Sequence, residues 1–398
     1  MKKSPIDLLW PVLVAAVVAF LTAGTMLVHS ASAQDDNGPG TINSVSGLHV
    51  TDLDSDGTPD VLVASPKSSE IAWYQNGKPK GKFAKRSVIT TNVRLLKSVT
   101  ASDLDQDGDA DVVSASSLDN KVAWHANTDG YGTFSDQKVM EDKAASPYAV
   151  YAGKLDDDDD RDVLFASNGG GLVAWCKNDN GTFSGQNKIS SNVAGARSVH
   201  AADLDSDGDQ DALSASSSFG GTNKIAWYRN TIGGFASQNI ISQNVKGAQA
   251  VIGVDLDQDG DADVVSASSG DGKIAWYENT DGYGTFSEQK VITDQLSGAQ
   301  SVSAADIDGD GDLDLVAASN KNGKIAWFEN LGKKKGFSDM KVITKKENYK
   351  SAYVEDIDVD GDPDIAFISE SQSRVAWVSN QIEQGKGWTS QRVIGPQN

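Results

Sequence analysis

Cysteine is almost missing from this chain of 398 residues: Cys176 stands alone, so no internal disulfide can form and stability has to come from elsewhere. Positive charge is scarce as well. The chain has 35 Lys and Arg against 56 Asp and Glu, a formal net charge of −21. That balance argues against nucleic acid and against anionic membrane surfaces, both of which select basic faces. Helical periodicity is absent throughout the body of the chain. So are the residue sets of familiar catalysis: no Ser/His/Asp set, no HExxH and no phosphate-cradling glycine loop. Hydrophobic residues still make up 38%, enough for one large domain or two ordinary ones.

One long apolar run exists, from Leu8 to Val28, preceded by Lys2 and Lys3 and followed by Ala31-Ser32-Ala33, a small-x-small cleavage pattern. Residues 1–33 are expected to be a cleaved signal peptide or an uncleaved N-terminal anchor, with Pro11 and Gly24 weakening the run as a stable helix. Either way the two lysines hold the N-terminus inside. The rest of the chain is then secreted, periplasmic or on the cell surface. Residues 34–46, with Gly38-Pro39-Gly40, read as a flexible linker.

What is abundant is repetition. Seven units of about 50 residues fill the chain from Gly47 to Ile394, the sign of a repeat architecture, and leave no second domain. Each begins with an acidic loop, at Asp52, Asp103, Lys154, Asp203, Asp255, Asp306 and Asp356. A tryptophan follows in each: Trp73, Trp124, Trp175, Trp227, Trp276, Trp327 and Trp377. An aromatic closes each: Phe83, Phe134, Phe183, Phe235, Phe286, Phe337 and Trp388. One large ring per unit at a fixed strand position is what packing between sheets requires. The fifth unit shows four strand signals, "AVIGVDLD", "DVVSASS", "KIAWYEN" and "SEQKVIT", separated by turns rich in Gly and Asp. Four antiparallel strands repeated seven times predict an all-β fold, a seven-bladed β-propeller over residues 47–398. A linear solenoid is the alternative, but it would show atypical end repeats, and the first and last units match the middle ones. The frame runs from a first strand to a fourth, so blade 1 meets blade 7 without a shared blade unless Thr41 to Ser44 adds a strand.

The acidic loops hold 35 of the 56 acidic residues, so the charge is local. Their pattern is D-x-D-x-D-G-x-x-D. Alternating carboxylates converge on one point when the chain wraps around it, and Gly at the sixth place permits the sharp turn. This is the logic of a Ca²⁺ loop with hard oxygen ligands. Without a cation the carboxylates repel; with one they are drawn together. Mg²⁺ suits such a loop less well. Six units carry the pattern in full. The expected metal ligands are Asp52, Asp54, Asp56 and Asp60; Asp103, Asp105, Asp107 and Asp111; Asp203, Asp205, Asp207 and Asp211; Asp255, Asp257, Asp259 and Asp263; Asp306, Asp308, Asp310 and Asp314; and Asp356, Asp358, Asp360 and Asp364. The third unit departs from it, with Lys154 first and Asp159 in the glycine place, so Asp156, Asp158 and Asp162 are expected to bind calcium weakly or not at all.

These loops, followed by "DVVSASS" and "KIAWYEN", resemble the FG-GAP/VCBS repeats that build the propeller of integrin α subunits, certain fungal lectins and many exported microbial proteins. The likeness covers all seven units. It implies calcium loops between the first and second strands of a blade, on the face opposite the usual ligand surface. It also implies an extracellular recognition or adhesion role toward glycans or proteins.

The remaining candidates are few. His49 and His200 occupy equivalent first-strand places that elsewhere hold Thr100, Tyr151, Ile252, Ser303 and Tyr353, and His125 stands where other units place tyrosine. All three read as substitutions within the repeat, and Cys176 as a buried inert thiol. Asn180-Gly181-Thr182 is a glycosylation sequon, meaningful only in a eukaryotic secretory route. Lysine clusters at Lys78, Lys80, Lys82 and at Lys333, Lys334, Lys335 are expected on the calcium side, offsetting its acidity. On the opposite face, inner positions Lys97, Tyr148, Arg197, Gln249, Gln300 and Lys350 differ between blades. They suggest a basic, amide-lined channel mouth for an acidic glycan or carboxylate. The reading is a monomeric, calcium-stabilised recognition or adhesion module without catalysis. A polysaccharide lyase on the same scaffold, or a structural part of a surface assembly, stands as the alternative.

Overall fold

The computed structural model describes residues 44–218, 223–231, 234–333 and 335–394. The proposed signal or anchor, Thr41–Asn43 and Lys334 lie outside them. Among the described residues no helix is long and apolar enough to cross a membrane. Seven four-stranded antiparallel sheets are present, each built from one contiguous piece of chain. The first strands are Gly47–Thr51, Leu96–Ser102, Pro147–Gly153, Ala196–Ala202, Ala248–Val254, Ala299–Ala305 and Tyr349–Glu355. Each pairs with the strand that follows its acidic loop, as in Thr51↔Asp60 and Ser102↔Asp111. The propeller expected from the repeat is the fold.

Every second strand, such as Asp111–Ser116 and Asp263–Ser268, is buried along its whole length. It lies inside its own sheet and is covered on both faces by neighbouring blades, which explains its run of Val, Ala and Ser. Small residues let the sheets approach closely, and Val fills what space remains. The tryptophans carry the contact from blade to blade. Trp124 meets Phe183 of the next blade edge to face at 5.8 Å, Trp175 meets Phe235 at 6.1 Å, and Trp276 meets Phe337 at 6.3 Å.

Blade 1 closes directly onto blade 7. One buried cluster joins Leu48, Val50 and Tyr74 of the first blade to Ile357, Ile368 and Trp377 of the last. Ser44–Ser46 form no strand, and among the described residues no blade is shared. Val45 is buried, and the Ser46 hydroxyl donates to the Leu96 carbonyl at 2.8 Å, so the packed chain begins before Gly47. The fourth strands of blades 1 and 3, Lys82–Thr90 and Thr182–Ser190, run long, whereas those of the other blades are shorter than their sequence pattern suggests. In blade 5 only Lys290–Thr293 is paired as strand. Ser287 turns inward instead, its hydroxyl accepting from the Glu278 N–H at 3.0 Å and its N–H donating to the Glu278 carbonyl at 2.8 Å.

Candidate functional site

Each acidic loop joins the first strand of a blade to the second, so all seven open at one end of the blades. In the six full-pattern loops the first aspartate uses Oδ2 to accept the N–H of the sixth-place glycine at 2.9–3.2 Å. The fifth accepts, through Oδ1, the N–H two residues on at 2.9–3.2 Å. The glycines are left-handed, φ 82–101°, which is why that place is glycine. The fourth residue is left-handed too, at Ser55, Gln106, Ser206, Gln258, Gly309 and Val359.

The ninth aspartate opens the second strand and is fully buried in every blade. Its Oδ2 accepts the N–H of the loop's second residue at 2.9–3.2 Å. Its Oδ1 accepts the N–H of an asparagine at the end of the third strand at 2.6–2.8 Å. Burial pushes Asp111 and Asp263 up to about 7 and Asp364 up to about 8. The ninth carboxylate is therefore a strut of the hairpin besides being a candidate ligand.

Whether a cation fits is answered by the third aspartate. In all six full loops one of its oxygens, on Asp54, Asp105, Asp205, Asp257, Asp308 and Asp358, is buried without a hydrogen-bond donor. A buried carboxylate oxygen without a partner is costly, and a hard cation is the partner that an all-oxygen donor set accepts. Burial, and next the fifth aspartate, raises the pKa of Asp54, Asp105 and Asp308. Ligand oxygens gather within 4.8 Å of one another in Asp52/Asp54/Asp60, Asp103/Asp105/Asp111 and Asp203/Asp205/Asp211, and likewise in Asp255/Asp257/Asp259 and Asp306/Asp308/Asp310.

The third loop is built differently. Neither Asp157 nor Asp159 is left-handed. Lys154 pairs with Asp159 at 2.9 Å, and Lys177 Nζ reaches Asp156 at 2.5 Å and Asp158 at 3.1 Å. A lysine stands where the other loops present free oxygens.

Sequence reasoning missed the asparagine. Asn76, Asn127, Asn178, Asn230, Asn279, Asn330 and Asn380 recur at one place in every unit, and that recurrence was the available signal. Each side-chain amide donates to the carbonyl of the second loop residue of the preceding blade, at 2.7–2.9 Å. The bond from Asn76 to Ile357 completes the circuit.

At the other end of the first strands, three of the six expected mouth residues come together. Arg197 donates to the Tyr148 hydroxyl at 2.8 Å and lies 4.8 Å from its ring centre, with Lys97 Nζ 5.6 Å from the same ring. Burial lowers the pKa of Lys97 and Lys350, and the charge of Arg197 lowers both further. Glu370 is the acid nearest Lys350, at 3.9 Å. The glutamines turn to their own loops: Gln249 donates to Gly247 and Gln300 to Gly298. Beside Arg197 a cleft of about 510 Å³ is lined by Asn168, Gly169, Asn192, Ser217 and Ser218.

The other singled-out residues sit in the scaffold. Burial lowers His49 and His200 to about 4. His49 packs on Tyr353 at 5.1 Å, and His200 accepts the Gly253 N–H at 3.3 Å. His125 is buried against the Ser135 carbonyl. Cys176 is fully buried, its thiol pushed up to about 12. Lys333 lies on the acidic side as expected, reaching Asp257 at 3.1 Å and Asp259 at 3.2 Å of the preceding blade. Asn180 is exposed in a turn.

Fold and loops together define a β-propeller whose blades each carry an acidic first hairpin. The chain belongs to the FG-GAP-like repeat family, whose model matches residues 52–114, 103–165, 154–214, 203–266, 255–317 and 306–367. Comparison with the curated proteins found no match. Among solved structures, a lectin from Agrocybe aegerita that recognises non-reducing terminal N-acetylglucosamine is similar in fold. It has TM-score 0.56 and 17% identity, over 77% of this chain and 81% of that one. Virginiamycin B lyase from Staphylococcus aureus matches with TM-score 0.55 and 16% identity, over 83% and 92%. BBS1N, solved in complex with ARL6DN, matches with TM-score 0.57 and 12% identity, over 82% and 90%. At these identities the likeness is one of fold.

Proposed function

We propose that this protein is an exported, calcium-braced recognition module that binds an anionic ligand, an acidic glycan or carboxylate, at the channel mouth. The six full-pattern loops would hold Ca²⁺ through their aspartates, leaving the opposite face free. The ion supplies positive charge that turns crowded, mutually repelling carboxylates into a tie between the two strands of each first hairpin. The observation that carries the ligand reading is the packing of two cations, Lys97 and Arg197, on the Tyr148 ring, in a chain whose net charge is −21. Burial, and next the charge of Arg197, lowers the pKa of Lys97, and an incoming anion relieves that repulsion. That the similar structures include a glycan-binding lectin and a propeller with a protein partner is consistent with a recognition role.

The test is titration calorimetry with acidic and neutral oligosaccharides, for the protein and its Arg197→Ala variant. Acidic sugars are expected to bind, more weakly as salt rises, and Arg197→Ala to cost roughly tenfold to a hundredfold, the worth of one charged hydrogen bond. Equal binding of neutral sugars would place recognition elsewhere. Cleavage of the sugar, lost in the variant, would favour a lyase.

A further inference from the structure

The acidic loops repeat, but the residue that faces each of them from the third strand does not. It stands two places after the blade tryptophan. It is neutral in blades 1, 2 and 7, as Gln75, Ala126 and Ser379, cationic in blades 3 and 4, as Lys177 and Arg229, and acidic in blades 5 and 6, as Glu278 and Glu329.

Lys177 occupies its loop completely: both oxygens of Asp156 are bonded, one by Lys177 and one by the Asp158 N–H at 3.3 Å. Arg229 lies over the fourth loop, Nε 2.5 Å from Asp205 Oδ2 and a terminal nitrogen 3.1 Å from Asp207 Oδ2. Yet Asp205, only 3% exposed, keeps its Oδ1 without any partner, as the other full loops do. The fourth loop thus has the shape of a cation cradle and a guanidinium across it. The acidic residues are partnered elsewhere: Glu278 pairs with Lys290 and Glu329 with Lys341. Lys333, arriving from the next blade, lies 3.1 Å from Asp257 and 3.2 Å from Asp259, the same two places that Arg229 spans in the fourth loop.

We propose that the basic side chains reaching the loops grade them for Ca²⁺. Lys177 substitutes for the ion in the third loop, and Arg229 and Lys333 make the fourth and fifth the weakest of the six full-pattern sites. The inference rests on the reading of the loops as calcium cradles. Ion and basic side chain contend for the same two carboxylates in each of those two loops, so the guanidinium or ammonium must swing into water before the site fills. The motif alone predicts six equal sites; the basic side chains predict an order among them.

The test is calcium titration of the whole protein by calorimetry, with bound ions counted by native mass spectrometry. Wild type is expected to take up four ions and then two more on the order of tenfold more weakly. Arg229→Gln, which installs the blade 1 residue, should bring one of the two into line with the rest. Lys333→Gln should do the same for the other, and tests the grading independently if the arginine variant does not fold. Six indistinguishable sites in wild type, or variants that leave the titration unchanged, overturn the grading alone. No calcium uptake at all overturns the cradle reading, and with it this inference.

Discussion

Val359 is the fourth residue of the last acidic loop and the one β-branched side chain at that left-handed place, with φ 53°. A β-carbon there costs about 1–2 kcal/mol, and valine is among the residues least suited to it. Its side chain is 37% exposed, so little packing is lost on replacing it. Val359→Asn is expected to stabilise the calcium-loaded protein by about 1 kcal/mol in denaturant unfolding; a loss of stability would mean the valine is held for its contacts. This residue is legible as a liability only once the backbone is known, because the loop pattern fixes places one, three, five, six and nine and leaves the fourth open. The metal-loop aspartates were legible for the opposite reason, since each must be an acid at a fixed spacing. The ninth aspartate's second role was not, because its partners are backbone N–H groups that leave no mark on composition. The same holds for Asn76 and its equivalents, which at the end of "KIAWYEN" look like ordinary turn residues.

At the scale of the element, the first hairpin of each blade is one body with its loop, and the asparagine ties it to the neighbouring blade. Asn76 is fully buried and donates to the Pro59 carbonyl at 2.9 Å and to the Ile357 carbonyl at 2.7 Å, while its Oδ1 accepts from Gly81 N–H at 2.8 Å. Asn178 repeats this set within the ring, with Arg161, Leu104 and Gly181. Replacing either by alanine leaves buried carbonyls without donors, at about 1–3 kcal/mol each. Asn76→Ala and Asn178→Ala are therefore expected to lose about 2–4 kcal/mol in denaturant unfolding. Asn76 should lose at least as much, because its partner lies 281 residues away and no shared strand helps the closure. A variant as stable as wild type would show that the latch carries nothing. Strand alternation and Gly/Asp turns made the blades readable in advance. The truncated fourth strands were not, because Ser287 and its kind have ordinary strand propensity and their inward turn depends on a partner one strand away.

At the scale of the molecule, charge is segregated along the first strands: carboxylates crowd one end, and Lys97 and Arg197 meet on Tyr148 at the other. The carboxylate end and the cationic end are separate, so the proposed bracing and the proposed binding do not compete for residues. The ring is continuous through its latches, each of which ends on an acidic loop, so loss of the ion in one blade is felt by the next. That makes the central claim a thermal one. Calorimetric melting of the whole protein, first with calcium and then with the ion stripped by a chelator, tests it most directly. The account predicts a lower melting temperature without the ion, restored by Ca²⁺ and less well by Mg²⁺. Superimposable melts with and without the chelator would contradict it.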